Sequence, residues 1–239
     1  MSLFTARSEM AYGEQAALLG VLAALKPRLS LELGTYKGGS LSLIAAYSAE
    51  VHAFDLASHT LDELPHVSHH VGDTRTTVPL VLDELAREQR TVDFALVDAD
   101  HSREGVETDM SNLLHSPAVR QTVILLHDCA NEAVREGARR AIQQASGIAY
   151  ADLSFVAPNR RSSLLAEAWG GLGIVVVDPN QTLWHLRRHI LDNVYWRTTE
   201  RRSMAWNALS PLRAARRRLV YRARPLYRRL KGTRGVPLA

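Results

Sequence analysis

Two short phrases hold the side chains best suited to chemistry. Asp98, Asp100 and His101 stand in Val97-Asp-Ala-Asp-His101, and His127 and Asp128 close the run Gln121-Thr-Val-Ile-Leu-Leu-His-Asp128. Grouped carboxylates hold a hard divalent cation such as Mg²⁺, which prefers oxygen ligands. A cation so held polarises a hydroxyl and lowers its pKa. An imidazole, titrating near about 6.5 when unperturbed, is suited to take the proton. A third phrase, Leu29-Ser-Leu-Glu-Leu-Gly-Thr-Tyr-Lys-Gly-Gly-Ser40, leads from an apolar stretch through a glycine-rich turn to a helix opening at Ser40. Gly34, Gly38 and Gly39 let the backbone turn tightly and approach a ligand. The helix aims its free N–H groups at the same spot. Asp55 closes the next apolar stretch, where a doubly wound sheet puts a carboxylate on a ribose. The spacing is Gly-x-x-x-Gly-Gly rather than the Gly-x-Gly-x-x-Gly of dinucleotide sites. The implied ligand is a nucleoside that is not a dinucleotide.

The elements that must position these residues alternate. Ala and Leu at helical spacing predict a helix over 13–25, stopped by Pro27. Strands are expected at 29–33, up to Asp55, at 66–71, 91–97 and 121–126, with helices over 40–48, 78–88, 103–114 and 132–145. Such alternation implies a mostly parallel, doubly wound α/β sheet with helices on both faces, whose ligands lie beyond the carboxyl ends of the strands. Five strand ends in a row carry acids or glycines, so they converge on one crevice. After Gly147 the pattern changes to two strand-like segments, 151–156 and 173–177, separated by Ala157–Gly171.

The Glu32-x-Gly34-x-x-x-Gly38 turn and Asp55 resemble the class I S-adenosylmethionine-dependent methyltransferases. The resemblance implies a Rossmann-like seven-stranded sheet ending in an antiparallel hairpin formed by the last two segments, with Ala157–Gly171 overhanging the substrate. It implies that Glu32, Gly34, Thr35, Gly38 and Ser40 hold the methionine end of S-adenosylmethionine. Asp55 would hold the ribose, and Gly72-Asp73 the adenine. Val97-Asp-Ala-Asp-His-Ser-Arg-Glu-Gly-Val106, followed by Asp109, is similar to the branch of cephalosporin hydroxylase-like proteins and metal-dependent sugar O-methyltransferases. By that match Asp98 and Asp128 are metal ligands, with Asp98 also beside the cofactor, and His101 is the general base. The alkoxide formed would attack the methyl carbon in line with the departing sulfur. His127 stands where those enzymes carry Glu, and joins the expected metal set. The cation would be Mg²⁺ or another divalent ion, although imidazole suits softer ions than Mg²⁺. Other readings stay open at this point. Asp98 or Asp100 can cap the following helix, His101 can bond its N-terminus, and Asp73 can be a cap. His66, His69 and His70 look like a metal cluster but sit in a strand.

The net charge of +4 hides a division. Residues 197–239 hold thirteen of the 29 Lys and Arg residues and one of the 25 acids, leaving residues 1–196 sixteen basic and twenty-four acidic side chains, a balance of −8. The expected organisation is a methyltransferase domain over 1–196 and a basic amphipathic helical tail over 197–239. The tail fits peripheral contact with anionic lipid on the inner membrane face, an oligomerisation arm, or RNA phosphates. Aromatic residues are sparse among its arginines, which weakens the nucleic-acid reading. The single cysteine, Cys129, excludes an internal disulfide and fits a reducing, cytoplasmic setting. The function expected is O-methylation of a small hydroxylated acceptor, a sugar or natural product, by a homo-oligomer. Its rivals are an RNA methyltransferase recruited by the tail and a methyltransferase-like module that binds without transfer.

Overall fold

The run Leu29–Leu33 puts Leu29, Leu31 and Leu33 on one side and Ser30 and Glu32 on the other, and it is buried along its whole length, as a strand covered on both faces is. In a computed structural model, which describes residues 9–57, 64–158, 160–161 and 168–180, this strand (β1) lies inside a seven-stranded sheet, third from one edge. The other strands are β2 (Glu50–Asp55), β3 (Val67–Val71), β4 (Phe94–Val97), β5 (Thr122–Leu126), β6 (Ile148–Val156) and β9 (Leu172–Val177). Two short strands, β7 (Arg160–Arg161) and β8 (Ala168–Trp169), form a separate antiparallel ribbon. The sheet order is β3-β2-β1-β4-β5-β9-β6, parallel except for β9, which runs antiparallel to both β5 and β6. The expected doubly wound sheet and its terminal hairpin are both present.

Helices cover both faces. The apolar stripes of α3 (Thr74–Arg87), α4 (Arg103–His115) and α5 (Glu132–Gln144) pack on one face, against Leu29, Leu31, Leu33, Ala95, Val97, Ile124 and Leu126. On the other face α1 (Tyr12–Leu25) and α2 (Gly39–Tyr47) bury Leu18, Leu22, Leu41 and Ile44 against Val51, Ala53, Phe94, Leu96 and Leu125. Each buried Leu of α1 contributes about 1.5–3 kcal/mol of apolar burial, enough to fix the helix on the sheet.

Side chains alternate across a strand with a period of two. Ser30, Ala53, Leu96 and Leu125 point to the α1/α2 side, so Glu32, Asp55, Asp98 and His127, two residues on, continue that side at the carboxyl edge. The ladder extends one rung past the strand ends. Gly34 N–H donates to Phe54 O at 2.8 Å, Asp98 N–H to Leu33 O at 2.8 Å and His127 N–H to Val97 O at 3.0 Å.

Three boundaries differ from expectation. α3 starts at Thr74 rather than Val78, because the Asp73 side chain accepts the Arg75 N–H and caps the helix, while Pro79 is accommodated inside it. The lead-in to β4 at 91–93 is irregular chain bonded to Leu29 and Ala118. β6 begins at Ile148 and carries register shifts that an alternation count does not detect.

The chain divides into two units, Met1–Val194 and Tyr195–Ala239, and the second lies wholly outside the described residues, as do residues 159 and 162–167 of the Ala157–Gly171 overhang. The readings of the basic tail therefore fall on residues of which nothing is described here. Among the described residues no helix is long and apolar enough to cross a membrane.

Gly34 has a φ of +92°, and a Cβ there would lie 2.3 Å from Asp98 O. Gly34→Ala is expected to cost on the order of 1–3 kcal/mol, read as a fall of about 2–4 °C in melting temperature per kcal/mol. An unchanged melting temperature contradicts the close crossing of the β1 turn over β4.

Candidate active site

The carboxyl edge gathers the acids that the sequence singles out. Glu32 is fully buried, and neither of its oxygens has a hydrogen-bond partner of ordinary geometry. Burial pushes its carboxyl up to about 8; the nearby Ser40 and Thr35 hydroxyls pull the other way, and the charges of Asp98 and Asp55 add to the rise. Glu32, Asp55 and Asp98 therefore share one neighbourhood. Asp55 is oriented by two backbone donors, Tyr36 N–H at 2.7 Å and Ala57 N–H at 3.1 Å. Gly38, at φ +76°, is the N-cap of α2, so that helix starts at Gly39 and Ser40 sits in its first turn facing Glu32.

Gly72 follows β3, its N–H bonded to Asp55 O at 2.9 Å, and Asp73 caps α3 while pairing with Arg75 at 2.6 Å. The cap reading of Asp73 is thus realised. Asp100 accepts the Ser102 N–H at 2.8 Å and Ser102 caps α4, which leaves Asp98 out of the capping of that helix. His66, His69 and His70 do not form a metal cluster: His70 stacks on Phe54 and bonds His52 at 2.9 Å, and His66, just before β3, bonds Ala45 O at 3.0 Å.

At the ends of β4 and β5 an alternating chain of carboxylates and imidazoles takes shape. His101 Nε2 lies 3.1 Å from Asp98 Oδ1 and 3.0 Å from Asp128 Oδ2. His127 Nδ1 lies 3.1 Å from the same Asp98 oxygen, because Val97 and Leu126 are register partners and the next residues meet. His127 Nε2 lies 3.3 Å from Glu14 Oε2 of α1. Glu14 is only 2% exposed and also accepts Ala11 N–H at 2.6 Å and Gly171 N–H at 2.5 Å. Asp128 adopts a left-handed backbone, φ +57°, and accepts Gly170 N–H at 2.5 Å. Trp169 meets the His101 ring edge-on at 5.5 Å.

Charge pairing outweighs burial throughout. Burial alone would lower both imidazoles, yet Asp128 and Asp98 raise His101 to about 9, and Asp98, Glu14 and Asp128 raise His127 to about 11. Burial would raise the carboxylates, yet the two histidines hold Asp98 at about 2, and His127 with the Gly171 and Ala11 N–H groups holds Glu14 at about 2. Cys129, by contrast, is driven up to about 12 by burial and is an inert filler bonded to Leu126 O.

Glu14, Trp169, Gly170 and Gly171 are the participants that sequence reasoning missed. The signal for Glu14 was present: it stands four and eight residues before Leu18 and Leu22, so the helical period places a carboxylate in the buried stripe. Among the described residues, one group of metal-capable side chains has its ligand atoms within 4.8 Å of one another, namely Asp98, His127 and Asp128.

Residues 31–129 match the family described as a methyltransferase domain. The matched stretch runs from β1 to just past the end of β5 and holds Glu32, Asp55, Asp98, His101, His127 and Asp128. Solved structures that share the fold include two methyltransferases. MycE methyltransferase from the mycinamycin biosynthetic pathway, solved in complex with Mg, SAH and mycinamycin VI, is 13% identical with a TM-score of 0.52, covering 73% of this chain. The chain spans about half of MycE, 52% of its length. The O-methyltransferase from Bacillus cereus, in complex with SAH, is 18% identical with a TM-score of 0.50, covering 71% of this chain and 83% of that one. No curated protein matches the sequence.

The shifted groups set a pH window. The raised histidines contribute stability that is complete below about 6.5 and lost as pH rises through about 9 and about 11. The lowered carboxylates contribute stability that is complete above about 4.5 and lost as pH falls toward about 2. With metal chelated, the melting temperature should be highest between those limits and fall on both sides, with the alkaline fall reduced in His127→Gln. A level melting temperature from about pH 6.5 to about pH 10 contradicts the pairing.

Proposed function

We propose that this protein moves the methyl group of S-adenosylmethionine to a hydroxyl oxygen of a small molecule, a sugar or natural-product scaffold. The observation that carries the reading is the buried Glu32 carboxyl at the end of β1, without a hydrogen-bond partner of ordinary geometry, beside the Gly34 turn and on the same edge as His101 and its two carboxylates. Burial disfavours the charged form of this carboxyl, and a ligand ammonium group beside it would supply the compensation that the ionised form lacks. The adenosyl compound fits this edge. Glu32, Gly34, Thr35, Gly38 and Ser40 take its methionine end, Asp55 takes the ribose hydroxyls, and Gly72 and Asp73 take the adenine side. Asp98 sits between cofactor and acceptor.

His101 is the general base. In the reaction the acceptor O–H gives its proton to the imidazole, the oxygen forms a bond to the methyl carbon, and the C–S bond breaks to leave the neutral thioether. Two carboxylates at 3.0–3.1 Å fix the ring and stabilise the imidazolium that results. The same carboxylates keep the ring charged at neutral pH in the metal-free chain. Asp98, His127 and Asp128 suit a divalent cation, their donor atoms being two oxygens and one nitrogen. Such a cation supplies polarisation of the acceptor hydroxyl and offsets the carboxylate charge that otherwise holds His101 protonated. Bound Mg in MycE and the SAH complexes of both neighbours support this reading. We assign the activity to residues 1–196, with the basic residues 197–239 serving attachment rather than chemistry.

His101→Gln is expected to bind S-adenosylmethionine with unchanged affinity by calorimetry, and to lower kcat about 10²–10⁴-fold on any acceptor that the natural chain methylates. Weakened cofactor binding with normal turnover at saturation moves His101 into the cofactor site and contradicts its role as base.

A further inference from the structure

We infer that Glu14 makes His127 a nitrogen ligand, so that the cation site with Asp98 and Asp128 selects a transition-metal dication such as Mn²⁺ or Co²⁺ over Mg²⁺. The inference rests on the proposed cation at those carboxylates and names its identity. Glu14 is the one carboxylate of the cluster that α1 supplies, the other members following β4 and β5. Glu14 stands 113 residues from His127 in the chain, yet its Oε2 lies 3.3 Å from His127 Nε2.

Glu14 has little freedom to turn away. Its Oε1 takes the Gly171 N–H at 2.5 Å, its Oε2 takes the Ala11 N–H at 2.6 Å, and Leu18 and Leu22 bury the helix that carries it. A carboxylate accepts and cannot donate. The hydrogen facing Glu14 is therefore on His127 Nε2 and stays there, while Nδ1, which faces Asp98 Oδ1 at 3.1 Å and Asp128 Oδ1 at 3.8 Å, is the nitrogen that would release its proton to solvent and take a cation held by those carboxylates. Metal-bound histidines carry this arrangement: the ring nitrogen away from the metal donates to a carboxylate, which fixes tautomer and orientation.

The donor set then decides the ion. Mg²⁺ demands near-octahedral oxygen ligands with bonds of about 2.0–2.1 Å, and keeps its waters rather than accept imidazole. Imidazole suits the first-row transition ions, whose affinity for nitrogen and oxygen donors rises from Mn²⁺ toward Cu²⁺. Ligand atoms on adjacent corners of such a shell stand about 3 Å apart, the separation of His127 Nδ1 and Asp98 Oδ1. The residue that departs from the oxygen-only pattern is thus the residue that α1 has been placed to orient.

The test uses the full chain, stripped with a chelator and titrated calorimetrically with MnCl₂, CoCl₂ and MgCl₂, with no adenosyl compound or acceptor present. Mn²⁺ and Co²⁺ are expected to bind at least about tenfold tighter than Mg²⁺. Pulsed electron paramagnetic resonance of the Mn²⁺ form should show coupling to one imidazole nitrogen. Glu14→Gln, shown to be folded by circular dichroism, should weaken Mn²⁺ binding about 10–100-fold. His127→Glu should abolish the nitrogen coupling and shrink the advantage of Mn²⁺ and Co²⁺ over Mg²⁺, and it decides the matter if Glu14→Gln does not fold. Equal affinity for Mg²⁺ and Mn²⁺, no nitrogen coupling, unchanged Mn²⁺ affinity in folded Glu14→Gln, or no cation binding overturns the inference. S-adenosylmethionine titrated separately into the same protein reports on the methyl-transfer reading alone. Its binding alongside a failed cation result leaves that reading standing, and its failure beside a clear Mn²⁺ preference leaves this one standing.

Discussion

The pleat of a parallel sheet governs this molecule. Side chains two residues apart share a face, and adjacent parallel strands in register end side by side. Glu32, Asp55, Asp98 and His127 all fall on the same phase of their strands, at the same edge and on the side covered by α1 and α2. A one-residue slip in any strand would send its functional side chain to the opposite face, under α3, α4 and α5. The apolar residues behind each functional one, Ser30 excepted, prevent that slip by locking the register in two closed cores. Stability and chemistry are thus set by the same alternation.

That alternation explains what was legible in the chain. Apolar runs ending in an acid or histidine gave the strands, and the Glu32–Ser40 turn, Asp55, Asp98, His101, His127 and Asp128 converge as their positions implied. Boundaries were less legible where a side-chain cap competes with periodicity, as at Asp73, whose bond to Arg75 N–H begins α3 ahead of Pro79. Glu14 went unread for a different reason. A lone acid in an Ala- and Leu-rich helix looks like solvent-facing decoration unless its phase is set against Leu18 and Leu22, and its partner His127 is distant in sequence. Trp169 and the Gly170–Gly171 amides belong to a segment without periodicity, placed only by what they bond to.

The cluster at the edge is held together by opposed charges in a setting that burial alone would neutralise. Three carboxylates and two imidazoles alternate, and each imidazole nitrogen that faces the chain meets an acid at 3.0–3.3 Å. Such a network is costly if half satisfied and rigid when complete. Completion here needs α1 from the N-terminal side and the two glycine amides from the C-terminal side, so the site closes only when the whole described domain has folded. Gly170 and Gly171, at φ +84° and +83°, are suited to that crossing, since a Cβ on Gly170 would lie 2.7 Å from Glu14 Oε1.

The central claim is that one carboxyl edge gathers the adenosyl donor, the base and the cation site. A crystal structure of the full chain grown with S-adenosylhomocysteine and MnCl₂, with data collected at the manganese edge, tests it most directly. The ribose is expected on Asp55, the amino-acid end of the ligand against the Glu32 turn, and one anomalous peak among Asp98, His127 and Asp128 beside His101. An adenosyl group bound away from the β1–β2 edge, or manganese held only by residues elsewhere, would contradict it.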